Sequence, residues 1–142
     1  HFHYVLVTGS LFSIYAGAYF WLPKWTGNMF NESLAKWHFW CSLISVNLLF
    51  FPMHFLGLAG MPRRIPDYAL QFADFNKWVS IGGFAFGLSQ LIFLAVVIKC
   101  IRGGEKAPAK PWDGAIGLEW TVASPAPYHT FTTPPKLDDV KE

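Results

Sequence analysis

His1-Phe2-His3-Tyr4-Val5 opens an apolar run that continues to Leu22, and its reading decides the fold. About 20 apolar residues are what a helix needs to cross the hydrocarbon core of a bilayer. The run is too long and too apolar for a strand, so it reads as a first membrane helix over 1–22. Helical residues lie about 100° apart around the axis, which puts His1 and His3 about 200° apart. Two such imidazoles cannot share one metal ion; chelation from a single helix uses i, i+4, as in H-E-x-x-H. If both are ligands, the helix serves two separate cofactors, one per face, with Phe2 between them in sequence. Two rival readings are a mobile chain end and copper binding by an N-terminal amine and its imidazole. Neither accounts for the hydrophobic bulk that follows.

Composition agrees with a membrane chain. The 142 residues are 53% hydrophobic, 18% aromatic and 14% charged, whereas soluble domains carry about 25% charged residues. The net charge of +2 says little, and no basic stripe points to nucleic acid, so no nucleic-acid partner is expected; membrane lipid is the expected surrounding. Cys41 and Cys100 stand alone in apolar runs, without zinc spacing, and read as buried thiols. No initiator methionine and no basic segment precede the first apolar run, so it is not a signal peptide. The expectation is a chain that begins partway through something larger, or after cleavage.

Two further membrane helices follow, over 34–58 and 76–101. This gives an all-α membrane protein with a three-helix segment at 1–101 and a proline-rich, irregular extramembrane tail at 102–142. Tyr19, Trp21 and Trp25 form an aromatic belt at the far end of the first helix, with Pro23 and Lys24 marking its exit. Gly9, Ser13 and Gly17 form a small-residue stripe, and Gly83-x-x-x-Gly87 a packing face in the third helix. Trp37, His38 and Trp40 read as an interfacial collar at the start of the second helix, and Pro52 should kink or loosen it. Asn47, His54 and Gln90 are the polar residues expected to face protein neighbours, His54 as a hydrogen-bonded packing residue. Leu118-Glu119-Trp120-Thr121 is expected to anchor the tail, and His129 to be structural.

Basic residues near the helix ends orient the chain. Lys24, Lys36, Lys99, Arg102, Lys106 and Lys110 face one side; Arg63, Arg64 and Lys77 face the other. The excess puts the tail on the cytoplasmic or matrix side, and His1, His3 and the arginine turn towards the opposite face. Adjacent arginines at a membrane exit serve as topology anchors, and they also suit bidentate binding of carboxylates. Haem is an amphiphile with two propionates, so histidines in the bilayer and arginines at its surface supply both ends of a haem site.

Five motifs in order carry a resemblance: His1-Phe2-His3-Tyr4-Val5; Phe50-Phe51-Pro52-Met53-His54-Phe55-Leu56-Gly57; Gly60-Met61-Pro62-Arg63-Arg64; Glu119-Trp120; and Ser124-Pro125-Ala126-Pro127-Tyr128-His129-Thr130-Phe131. Together they resemble subunit I of the haem–copper cytochrome c oxidases, over essentially the whole chain. The resemblance implies the last three of the family's twelve membrane helices plus its C-terminal tail. It implies that His1 is the axial ligand of the high-spin, oxygen-binding haem, and that His3 is one axial ligand of the low-spin haem. Phe2 would lie between the two haems, where electrons cross, and Arg63 and Arg64 would bind haem propionates. Both haems would be a-type, in a bacterial plasma membrane or a mitochondrial inner membrane. The implied activity is proton-pumping reduction of oxygen to water, with electrons from cytochrome c. The implied partners are the remainder of subunit I, subunits II and III, and cytochrome c.

Two positions depart from the family pattern: Met53, where glutamine is usual, and Ala126, within a commoner proline run. The family's second low-spin ligand, its copper-ligand histidines, its cross-linked tyrosine, its magnesium ligands and most proton-channel residues lie upstream of these motifs. Copper ligands are therefore expected outside this chain, which would act only as part of a complete subunit. Two other function classes fit the composition: a membrane-anchor b-type cytochrome, and a non-catalytic membrane assembly subunit. Cofactor content separates the three.

Overall fold

The computed structural model describes residues 1–136. Three long helices account for most of them: α1 (Phe2–Thr26), α2 (Glu32–Leu58) and α3 (Ala73–Arg102), the last led by a 3₁₀ turn at Leu70–Phe72. Each is long and apolar enough to cross a membrane, and each buries at most 22% of its most apolar window. That is the pattern of a membrane-spanning chain, whose solvent is hydrocarbon. Among the described residues from 103 to 136 the chain is irregular, with one 3₁₀ turn at Leu118–Trp120. The described residues contain no strand beyond an isolated bridge between Asn28 and Lys106.

The chain divides into two compact units. The first comprises His1–Tyr15 and Glu32–Leu94. In it α1 and α2 run antiparallel: His1 meets His54 and Tyr15 meets His38. One stripe of α2 is buried (His38, Ser42, Ser45, Val46 and, further on, Leu56). It faces a stripe of α3 that includes Val79, Gly82 and Ser89. The spacing of three, four and seven residues is one helical face. The closest approach is at Gly82, where a Cβ would lie 2.6 Å from the Leu49 backbone nitrogen. Small residues let helix backbones meet in this way where lipid offers no hydrophobic drive to associate.

A polar chain ties the three helices together. Tyr15 Oη donates to Gln90 Oε1. Gln90 Nε2 donates to Ser89 Oγ at 2.8 Å, and Ser89 Oγ meets Ser42 Oγ at 2.9 Å. His38 Nε2 lies 3.4 Å from Gln90 Oε1. Buried polar groups in a helix bundle are costly unless paired, and here each finds a partner.

The second unit comprises Ala16–Asn31 and the chain from Ala95 onward. Its centre is Trp120, 1% exposed, against Phe20. Lys24 is buried beside it at 5% exposure. The Lys24 ammonium donates to the carbonyls of Val122 at 2.7 Å and Ala109 at 3.0 Å, and sits 5.2 Å from the Trp120 ring centre. Trp112 Nε1 donates to the Phe20 carbonyl at 2.9 Å. Two backbone bonds, Met29 N to Glu105 O and Ala107 N to Gly27 O, join the α1–α2 loop to the start of the tail. Gly27 has φ +73°, and a Cβ there would strike Pro125 Cδ at 2.5 Å.

Several expectations need correction. α1 does not end at Leu22; it runs through Pro23 to Thr26, and Gly27 N closes on the Pro23 carbonyl. Proline deprives the helix of one donor, but burial of Pro23 and the bonds to Lys24 hold the extra turn. His38 is not part of an exposed collar: it is 2% exposed, whereas Trp37 and Trp40 point outward, because successive helical residues turn by about 100°. Cys100 is buried, but Cys41 is half-buried, one position off the α2 stripe. The close packing of α3 is made by Gly82, while Gly87 has nothing within 4 Å. Nothing among the described residues covers Gly9. The helices also start earlier than expected, α2 at Glu32 and α3 at Ala73; Asn76, expected at the start of α3, donates to the Phe72 carbonyl at 2.9 Å from within it. α2 remains continuous through Pro52.

Candidate functional site

The first unit brings the sequence-derived histidines to one end. His1 leads directly into α1, its carbonyl accepting the first helical bond from Val5 N at 3.0 Å. Both rings lie along α2: the His1 ring is 6.1 Å from that of His54, and the His3 ring 6.2 Å from that of Phe50. Phe2 is 66% exposed, with its ring 5.5 Å from that of His3.

Three features hold this end of α1. Tyr4 Oη donates to Asn47 Oδ1, and the Asn47 amide donates to the Leu43 carbonyl at 2.8 Å. The Tyr4 ring also meets the His54 ring, 5.9 Å centre to centre. Finally, Val7–Leu11 forms a single π-helical turn, which resets the facing of the residues before it relative to those after. Such turns occur most often at functional sites. Asn47 and His54 are the expected contact residues; the π-helical turn was not legible in the sequence.

The chain's histidines differ in availability. His54 Nδ1 lies 3.1 Å from the Phe50 carbonyl and 3.2 Å from that of Phe51, its own preceding turn. His38 is buried in the Gln90 network. His1 and His3 are exposed, and neither ring nitrogen pair has a hydrogen-bond partner among the described residues. His129, in the tail, is exposed and stacks edge-on with Tyr128 at 4.7 Å. No group of three or more His, Cys, Asp or Glu side chains that could hold a metal ion occurs among the described residues. The available chemistry is therefore one imidazole nitrogen at a time, each able to fill one coordination position.

The turn after α2 lies at this same end. α2 finishes at Leu58, four residues beyond His54. Met61 N and Gly60 N close back on the carbonyls of Leu56 and Gly57. Gly60 has φ +89° and Arg64 φ +56°. Arg63 and Arg64 are exposed, and neither guanidinium has an ion-pair or hydrogen-bond partner among the described residues. Two fixed cations with unfilled donor sets can take carboxylates or phosphates bidentately. The last turns of α2 before them leave Phe51, Phe55 and Leu58 exposed.

Comparison with known proteins places the chain in a family. The chain is 45% identical over 141 residues to cytochrome c oxidase subunit 1 of Cereibacter sphaeroides, covering 98% of this chain and 25% of that protein. It is 42% identical over 154 residues to cytochrome c oxidase subunit 1 of Yarrowia lipolytica, covering 96% and 29%. The corresponding protein of Synechocystis is 44% identical over 137 residues, covering 96% and 25%. The chain thus spans about a quarter of the length of these curated relatives. With residues 1–85 matching the family model for Cytochrome C and Quinol oxidase polypeptide I, the chain belongs to that family.

Proposed function

We propose that this chain is the haem-ligating part of a cytochrome c oxidase catalytic subunit. The observation that carries the reading is the contrast in availability: of the histidines along α1 and α2, only His1 and His3 have ring nitrogens without a hydrogen-bond partner, at the same end of the unit as an unpaired arginine turn. The residues fit haem. Each imidazole can give one axial nitrogen, the guanidiniums match propionate carboxylates, and the exposed aromatic surface suits a macrocycle. His1 would hold the high-spin haem, His3 the low-spin haem, and Arg63 and Arg64 the propionates. Both haems are proposed to be a-type, with copper held by residues outside this chain. When bound, these groups supply the one-electron and oxygen chemistry that protein side chains lack.

The chain's own residues then orient and tune. Asn47 fixes Tyr4, and through it the rotation of the α1 segment bearing both histidines. His54 packs under His1. Phe2 lies between the two ligand positions, where electrons would cross. Arg63 and Arg64 place positive charge at the edge of a low-dielectric region, where it acts strongly on a nearby redox centre. The overall reaction would take electrons from cytochrome c and reduce oxygen to water with proton pumping. It would proceed in a complex with the remainder of subunit I and subunits II and III, in a bacterial plasma membrane or a mitochondrial inner membrane, with the tail on the cytoplasmic or matrix side.

A reduced-minus-oxidised absorption spectrum of the native complex, taken with and without carbon monoxide, tests the reading. Two haem signals, only one responsive to carbon monoxide, are expected. A single b-type signal with no such response, or no haem at all, would overturn it.

A further inference from the structure

The first two turns of α2 carry a group of side chains that the redox reading does not use. Ser33, Lys36, Trp37 and Trp40 line an open cleft of about 430 Å³. Their spacing of three, four and seven residues puts them on one helical face. Glu32, one turn before Lys36, completes the group: its carboxylate meets the Lys36 ammonium at 2.8 Å. Trp37 and Trp40 are 65% and 56% exposed, and the side chains of Lys36 and Glu32 69% and 75%. The cleft lies where the charged start of the helix gives way to its apolar run, the level at which a membrane helix meets lipid headgroups.

From this charge pattern we infer that the cleft binds a zwitterionic phospholipid headgroup, of the phosphoethanolamine type. Such a headgroup carries a phosphate and an ammonium a few atoms apart; Lys36 lines the cleft, and Glu32, paired with it one helical turn earlier, supplies the opposite charge. Lys36, with the Ser33 hydroxyl beside it, answers the phosphate. Glu32 answers the ammonium, and the two indole faces add cation–π attraction. An anionic lipid finds no such match, because the Lys36 charge is already balanced by Glu32. An apolar helix from another protein would have to bury the Lys36–Glu32 ion pair out of water without adding any partner to it, a costly desolvation. Beyond the headgroup, Trp37 and Trp40 offer their outer faces to an acyl chain.

The test uses the intact native complex, delipidated in detergent and titrated in native mass spectrometry with phosphatidylethanolamine or phosphatidylglycerol of the same acyl chains. All five side chains point outward, so their replacement leaves the packing of the helices unchanged. Trp37→Leu/Trp40→Leu and Lys36→Met variants should each lose one retained phosphatidylethanolamine relative to the unaltered complex. Glu32→Gln uncovers the lysine charge, so at that one position the preference should move from phosphatidylethanolamine to phosphatidylglycerol. Equal lipid counts for the unaltered complex and the tryptophan variant, or a Glu32→Gln complex with an unchanged lipid preference, would overturn the inference. Either result would mean that the cleft is covered by protein or holds lipid without selecting it.

Discussion

The turn after α2 and the loop end of α1 each carry cations in a membrane chain, and they treat them in opposite ways. Lys24 is buried, with its ammonium on the carbonyls of Val122 and Ala109 and against Trp120. Arg63 and Arg64 are exposed and lack partners among the described residues. The same contrast runs through the histidines: His38 and His54 are satisfied within the fold, His1 and His3 are not. A polar group whose capacity is filled by its own chain serves stability. One left unfilled in an otherwise satisfied structure is free for a ligand. Among the described residues no buried side-chain nitrogen or oxygen lacks a partner; the open imidazoles and guanidiniums are exposed, at one end of the first unit.

The sharpest way to break the comparison is at His3. His3→Ala removes an exposed side chain with no hydrogen bond to lose, so folding should be unaffected. If the ring is an axial ligand, the low-spin haem signal should vanish entirely from the spectrum of the assembled complex. Retention of that signal would remove His3 from the ligand set. His38→Ala should do the reverse, leaving both haem signals in place in whatever complex assembles while weakening the three-helix packing.

Gly82→Val tests packing alone. A side chain there meets the Leu49 backbone, with a Cβ 2.6 Å from its nitrogen, and backbone cannot swing aside as a side chain can. Overpacking of a tight contact costs about 1–3 kcal/mol, and this case belongs at about 3. Thermal melting of the complex should fall markedly, whereas Gly87→Val, at a position with open space, should leave it within error.

Lys24→Met keeps the stem of the side chain and deletes its ammonium. The Val122 and Ala109 carbonyls then lose a charged donor in a buried place, at a cost of about 2 kcal/mol. The tail should become sensitive to limited proteolysis near Ala109 and Val122 while the haem spectrum stays the same. Equal protease resistance of variant and parent would mean that Trp120 anchors the tail unaided.

These positions also mark what the sequence made legible. Three membrane-length apolar runs are visible as length and composition, and three helices follow from them. The histidine pair and the arginine turn are visible as motifs, and their meeting at one end follows from antiparallel helices. Which of three glycines carries the α2–α3 contact was not legible from G-x-x-x-G spacing alone. Gly82 rather than Gly83 shares a face with Val79 and Ser89, and only the opposing stripe of α2 decides between them. Pro23 and Lys24 misled for a related reason. A proline and a lysine after an apolar run describe a local stop, and the tail segment that overrides it comes from some hundred residues further on. In the π-helical turn at Val7–Leu11 the one unusual residue is Gly9, which the sequence presents equally well as part of a small-residue stripe.

Arg64 gives the smallest effect and the cleanest separation of the two roles. Its φ of +56° is the left-handed region, which costs a side-chain-bearing residue about 1–2 kcal/mol and glycine nearly nothing. A turn selected for stability alone would carry glycine here, as it does at Gly60. Arg64→Gly relieves the backbone but also frees the unfolded chain, so the net gain should be at most about 1 kcal/mol. The melting temperature should therefore hold or rise slightly. If the guanidinium holds a propionate, the haem bands and the midpoint potential should shift in the same variant. Arg64→Lys should keep the backbone strain and part of the charge, giving a smaller spectral shift with no gain in stability. A glycine variant that is both as stable and spectrally unchanged would leave the strained arginine without a purpose at the haem, and would move the propionate role to Arg63 alone.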